Sequence, residues 1–186
     1  MAVSDVMDDA VLKMENSIEV LKGQFAGLRT GKASPALVDG VQAMYYGVPT
    51  RLRDIANIST PEPRLIVIAP FDPTALGDIE KAILAANLGV TPRNDGRVIR
   101  IPIPELNEER RKEIVKVAKR QSEDSKVAIR TVRREANDAV KALQKNSEIT
   151  EDERDSGLEK IQKLTDEYVG KIDAMLKAKE AEVMAV

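Results

Sequence analysis

Seven cations recur along one stretch of the chain at steps of three and four: Lys112, Lys116, Lys119, Lys126, Arg130, Arg133 and Lys141, interrupted by Glu123 and Asn137. Arg111, Arg120 and Arg134 flank them. Such spacing stacks side chains on one face of a helix, so the residues form a basic ridge. A guanidinium presents planar, forked donors that match phosphate oxygens, and neutralising a phosphate backbone is the chemistry this ridge can perform. Helical RNA is read mainly by shape and backbone contact, so stacking aromatics are not required. A second reading stands beside the first: the stems lie over an apolar seam and an acidic neighbour neutralises the charges. Charge alone does not separate the two.

Other chemistry is narrowed by what is missing. The chain has no His and no Cys. Catalysis built on imidazole or thiolate is excluded, together with Cys- or His-ligated zinc, iron–sulfur clusters and His-ligated haem. No GxxxxGK[ST] or GxGxxG stretch is present to cradle nucleotide phosphates. Asp8-Asp9 and Glu151-Asp152-Glu153 read as acids at helix starts. We therefore expect no enzyme, no cofactor and no metal. Without Cys there is no disulfide framework, which points to the cytoplasm. No apolar run approaches the roughly 20 residues that cross a bilayer, so no membrane is expected. The acidic start MAVSDVMDDAVLK is neither a secretory signal nor a transit peptide. The net charge of −2 hides a strong polarity: residues 105–147 carry 12 basic and 8 acidic groups, whereas 148–186 carry 6 and 11.

The elements that hold the ridge follow from the prolines. All nine lie between Pro35 and Pro104, leaving two proline-free flanks able to form long helices. In the first flank Met7, Val11, Met14, Ile18, Leu21, Phe25 and Leu28 form one stripe, with Ser4 as its cap and Gly31 as its stop. In the second, Asn107 caps a helix that runs to about Asn146, with Val115, Ala118, Ser122, Ser125, Ile129, Val132, Ala136, Ala139 and Leu143 as its seam. Thr150 and Glu153 form a capping box for a third helix, whose seam includes Leu158, Ile161, Leu164, Tyr168, Ile172, Met175 and Leu176. Three seams with short connections imply an elongated antiparallel three-helix bundle.

Between the flanks the period changes. Val41–Tyr46, Arg64–Ala69 and Arg97–Ile101 read as strands, the last after an Asp95-Gly96 turn, and Leu52–Ser59 as a further one. Ala75–Ala86 has helical spacing behind Pro73. Tyr45 and Tyr46 read as buried strand aromatics. The fold class is α+β: a discontinuous bundle of residues 1–30 and 105–186, with a small β/α/β domain, 31–104, inserted. The crossings at Thr30–Ser34 and Pro102–Glu105 read as a hinge, with Gly31, Ser34, Pro35, Pro102 and Pro104 as its formers.

Several motifs occur in order along the whole chain: Leu28-Arg-Thr-Gly-Lys-Ala-Ser-Pro35, Tyr45-Tyr-Gly-Val-Pro49, Ile99-Arg-Ile-Pro-Ile-Pro104, Asn107-Glu-Glu-Arg-Arg-Lys112 and Val132-Arg-Arg-Glu-Ala-Asn-Asp138. Together they strongly resemble the ribosome recycling factor family. Lys32 stands where that family usually has Arg, and Asn107 where it often has Thr. The resemblance implies an L-shaped, two-domain translation factor whose helical domain binds the large ribosomal subunit over ribosomal RNA. Elongation factor G with GTP then acts, the smaller domain swings, and the post-termination ribosome splits. The family's RNA-contacting positions fall on Arg29, Lys32, Arg111, Arg130 and Arg133, and Arg133 is the strongest candidate. Lys112, Lys116, Lys119 and Lys126 join them from the basic ridge. A monomer is expected. The competing reading is a coiled-coil adaptor without RNA binding, whose seams recruit a partner helix.

Overall fold

The structure is a computed structural model that describes residues 2–185. The chain divides into two compact units, one formed by the described residues up to 25 with those from 115 onward, the other by 26–114.

The first unit is helical. It contains helix α1 (Val3–Ala26), most of helix α5 (Glu108–Lys145) and helix α6 (Glu151–Met184). Lys119 pairs with Glu180 and Lys126 with Asp173, so α5 and α6 run antiparallel. Val3 lies beside Gly157 and Glu15 meets Tyr168, so α1 runs parallel to α6 and therefore antiparallel to α5, which it meets at Lys13 and Glu135. Met14, Leu21, Ile129, Ile161 and Ile172 are fully enclosed at the centre.

Each helix start has a local cause. The Asn107 side chain accepts from Arg110 N–H at 2.7 Å, and the Thr150 and Glu153 side chains exchange bonds with each other's backbone N–H. Ser4 does not cap α1. The helix begins at Val3, and the Asp5 carboxylate accepts from Ala2 N–H at 2.7 Å. Nor does α1 reach Gly31, since it ends at Ala26.

The seams also shift. Val6 and Ala10 are buried in α1 where Met7 and Val11 were expected, and Val11 is 37% exposed. In α5, Ile114 and Val140 are buried in preference to Val115 and Ala139; in α6, Gly157 and Thr165 replace Leu158 and Leu164. Buried positions of α5 run from 114 to 143 in eight steps, about 3.6 residues each. Strict alternation of four and three assumes 3.5, the repeat of a supercoil; these helices keep the period of a straight one.

The second unit holds the β structure. Helix α2 (Ala36–Asp39) precedes hairpin strands β1 (Gln42–Tyr45) and β2 (Val48–Arg51). Their two-residue turn has Tyr46 at φ 49° and Gly47 at φ 78°, the left-handed pair that tight hairpins demand. Leu52–Ile55 forms a helical turn, α3, so the expected strand over 52–59 begins only at Ala56. Strands β3 (Ala56–Glu62), β4 (Leu65–Pro70), β5 (Arg93–Asn94) and β6 (Ile99–Pro102) form an antiparallel sheet in the order β3-β4-β6-β5. Helix α4 (Leu76–Ala85) follows a 3-10 turn at Pro73–Ala75. Ile79 and Ile83 of α4 join Ile66, Ile68, Ile99 and Ile101 of the sheet in a single core. Tyr46 is not a buried strand aromatic: it sits in the turn, 80% exposed.

Candidate nucleic-acid interface

Within the helical unit, α5 turns its seam inward and leaves its cations along the rim. Two of the ridge lysines pair with acids of α6. Lys126, its side chain only 14% exposed, lies 2.5 Å from Asp173 and 3.4 Å from Glu123. The bond to Asp173 raises its pKa above the usual lysine value. Lys119 lies 3.6 Å from Glu180 of α6. The neutralisation foreseen for the acidic third helix is therefore real at these two positions.

It does not extend further along the helix. Among the described residues Lys116, Arg120, Arg130, Arg133, Arg134 and Lys141 form no ion pair. Arg130 is exposed and Arg133 half-buried. One turn of helix separates them, about 4.5 Å along the axis, so their guanidinium groups emerge from adjacent positions of one face. The acids nearest in sequence are otherwise occupied or silent: Glu135 pairs with Lys13 of α1 at 3.3 Å, and Asp138 makes no ion pair among the described residues. Arg130 and Arg133 thus hold uncompensated charge with free donors, the condition an external phosphate requires.

The remaining candidates belong to the second unit. Arg29 acts as a backbone clamp, with Nη2 donating to the Pro104 carbonyl at 2.6 Å and Nη1 to the Gly89 carbonyl at 3.5 Å. Burial, and then the Arg110 charge, lower its pKa below the usual arginine value. Arg111 is half-buried, and its Nε is enclosed without a hydrogen-bond partner. Lys112 pairs with Glu108 at 3.0 Å and Arg110 with Glu113 at 2.8 Å. Lys32 is exposed and unpaired among the described residues.

The five hinge candidates also lie in this unit. Gly31 has φ +79°, a conformation that favours glycine, and an added Cβ would stand 3.9 Å from Leu106. The Ser34 hydroxyl accepts from Ala36 N–H at 3.3 Å, and Pro35 opens α2. Pro102 closes β6 opposite Leu65, and the Pro104 carbonyl receives Arg29. The clamp role of Arg29 was invisible in sequence because its acceptors lie 60 and 75 residues away.

Beyond the cations, no group of three or more metal-binding side chains occurs among the described residues. The family model described as ribosome recycling factor matches residues 21–184. This chain belongs to the ribosome recycling factor family. The ribosome-recycling factor of Bacillus licheniformis is 55% identical over 183 residues, 98% of this chain and 99% of that one. A solution structure of a ribosome recycling factor covers 99% of this chain and 98% of its own, at 40% identity and a TM-score of 0.81. A second structure describes the T. thermophilus ribosome recycling factor and the E. coli elongation factor G bound to the E. coli post-termination complex; its matching chain is covered completely, at 41% identity and a TM-score of 0.69. The combination of a long helical part and a small β unit is the fold shared with these family members. The family consists of non-enzymatic translation factors.

Proposed function

We propose that this protein binds the large ribosomal subunit after termination and, with elongation factor G and GTP, splits the post-termination ribosome for reuse. Whole-length kinship with ribosome recycling factors supports this reading, as does a family member described with elongation factor G on the post-termination complex. The observation that carries the site is the selective absence of ion partners at Arg130 and Arg133, on a helix whose Lys119 and Lys126 are neutralised. In this reading Arg133, Arg130, Arg111 and Lys116 grip ribosomal RNA. Arg29 and Lys32 add to the same surface chemistry, and Lys112, Lys119 and Lys126 contribute less because each already faces a carboxylate. The GTPase supplies the energy and this chain hydrolyses nothing.

The protein works in the cytoplasm as a monomer, and no helix among the described residues is long and apolar enough to cross a membrane. Its domains are 1–30 with 105–186, and 31–104, pivoting at Gly31, Ser34, Pro35, Pro102 and Pro104. The left-handed backbone at Gly31 supports a glycine requirement at the pivot. Purified post-termination ribosomes should separate into subunits only when the chain, elongation factor G and GTP are all present. A chain that fails to cosediment with large subunits at low ionic strength removes the reading. Undiminished cosedimentation of Arg133→Glu removes the site.

A further inference from the structure

The small unit carries an arginine arrangement that the ridge on α5 does not explain. Ile66, Ile68, Ile99 and Ile101 point into its core, so the alternate residues of β4 and β6 face outward. Register runs one outward row across all four strands: Ser59, Val67, Arg100 and Arg93. Arg100 and Arg93 are direct cross-strand partners. Like charges in that relation repel and weaken the pairing of two strands. Here they do so on β5, a strand of only two residues.

The sheet compensates only one of them. Arg100 Nε donates to Asp95 at 3.2 Å, while the other oxygen of Asp95 accepts from the backbone N–H groups of Arg97 and Val98 at 3.0 and 2.8 Å. Those backbone bonds hold the Asp95 carboxyl below its usual pKa, so it stays charged and committed to the turn. The Arg93 and Arg97 side chains have no hydrogen bond or ion pair among the described residues. All three arginines are exposed. Next to Arg100 the face is uncharged, since Val67 and Ala69 stand beside Ser59 and Asn57, and its other acid, Glu62, lies on β3 opposite Leu65. The result is a sheet face with two forked cations, Arg93 and Arg100, a third, Arg97, exposed in the turn between β5 and β6, one carboxylate already in use and no acid paired with Arg93.

We propose that this outer sheet face, with the turn that joins β5 to β6, is a second phosphate-binding surface, with Arg93, Arg97 and Arg100 contacting the backbone of structured RNA. Charge complementarity selects a polyanion, and cations on neighbouring strands of an open sheet face suit a backbone laid across the strands better than a small ion held in a cleft. The site lies on a different unit from Arg130 and Arg133, so it stands or falls independently of them.

The test uses the full chain carrying Arg130→Glu and Arg133→Glu, which weakens the ridge, and an RNA hairpin oligonucleotide as probe. Fluorescence anisotropy is read across a salt series. Adding Arg93→Ser, Arg97→Ser and Arg100→Ser should weaken binding about a hundredfold near 0.1 M salt and flatten the log–log salt dependence by about 2. A charge-matched control, Arg51→Ser with Arg53→Ser and Lys81→Ser, should change affinity less than threefold. Equal losses from both triples overturn the site, as does an unchanged slope in the sheet variant. Polyglutamate competing as well as the hairpin overturns RNA as the occupant. Should the sheet variant unfold, amide shifts at Arg93 and Arg100 on adding the hairpin to the unaltered chain decide the matter, and shifts confined elsewhere reject the proposal.

Discussion

Replacing Arg133 and Lys126 separately by Gln distinguishes a ligand cation from a structural one on the same helix face. Arg133 has no ion partner among the described residues, whereas Lys126 is 14% exposed and sits between Asp173 and Glu123 at 2.5 and 3.4 Å. A cation that neutralises one phosphate contributes about 0.7 to 0.9 to the slope of log affinity against log salt. Near 0.1 M salt that corresponds to roughly five- to eightfold in affinity. Arg133→Gln should therefore weaken binding to isolated large subunits by about that factor and flatten the slope by nearly one. Its stability should stay within about 0.5 kcal/mol of the parent, since no internal polar bond is lost. Lys126→Gln should do the reverse. Its charge is already compensated, so the salt slope holds, while losing the pair with Asp173 costs about 1 kcal/mol and lowers Tm by roughly 2–4 °C. Cosedimentation between about 50 and 200 mM salt, with thermal melting of the same preparations, reads both quantities. Matching slope changes in the two variants would refute the reasoning, because internal ion pairs would then tell nothing about which cations meet RNA.

Other expectations concern the bundle. Tyr168 is buried and donates to Glu15, and its pKa is pushed up to about 12, first by burial and then by that bond. The fold favours the neutral phenol, so this stabilisation is complete below pH 10 and lost between pH 10 and 12, up to roughly 2–3 kcal/mol. Absorbance titration should show a last tyrosinate step near pH 12 that Tyr168→Phe abolishes, whereas the raised step of Tyr45 stays; a step near pH 12 surviving in that variant refutes the assignment. Ser122 is fully buried and its hydroxyl has no hydrogen-bond partner. Ser122→Ala removes that cost and improves helix propensity, so urea unfolding should show a gain of about 1 kcal/mol; a loss means the hydroxyl is bonded in solution. Thr150→Ala removes the hydroxyl that accepts from Glu153 N–H at the start of α6 and leaves the reciprocal bond from the backbone of residue 150, and stability read by thermal melting should fall by about 1 kcal/mol.

The sequence alone determined the elements whose causes are local. Proline distribution separated the helical flanks from the β-rich insert, Asn107 and the Thr150–Glu153 box marked two helix starts, and the step of three and four placed Lys116, Arg130 and Arg133 on one ridge. Each of these signals acts over at most a few turns, so adjacent residues contain it. Tertiary structure decided which ridge charges remain available, because Asp173 and Glu180 reach α5 from a helix folded back after a turn. It also made Arg29 a backbone clamp and set Arg93 against Arg100. The exact seam belonged to packing as well, since steps of 3.5 and 3.6 differ too little over one helix for a residue pattern to separate them. Pairing and register depend on which distant segments meet, and a one-dimensional pattern carries no distance between them.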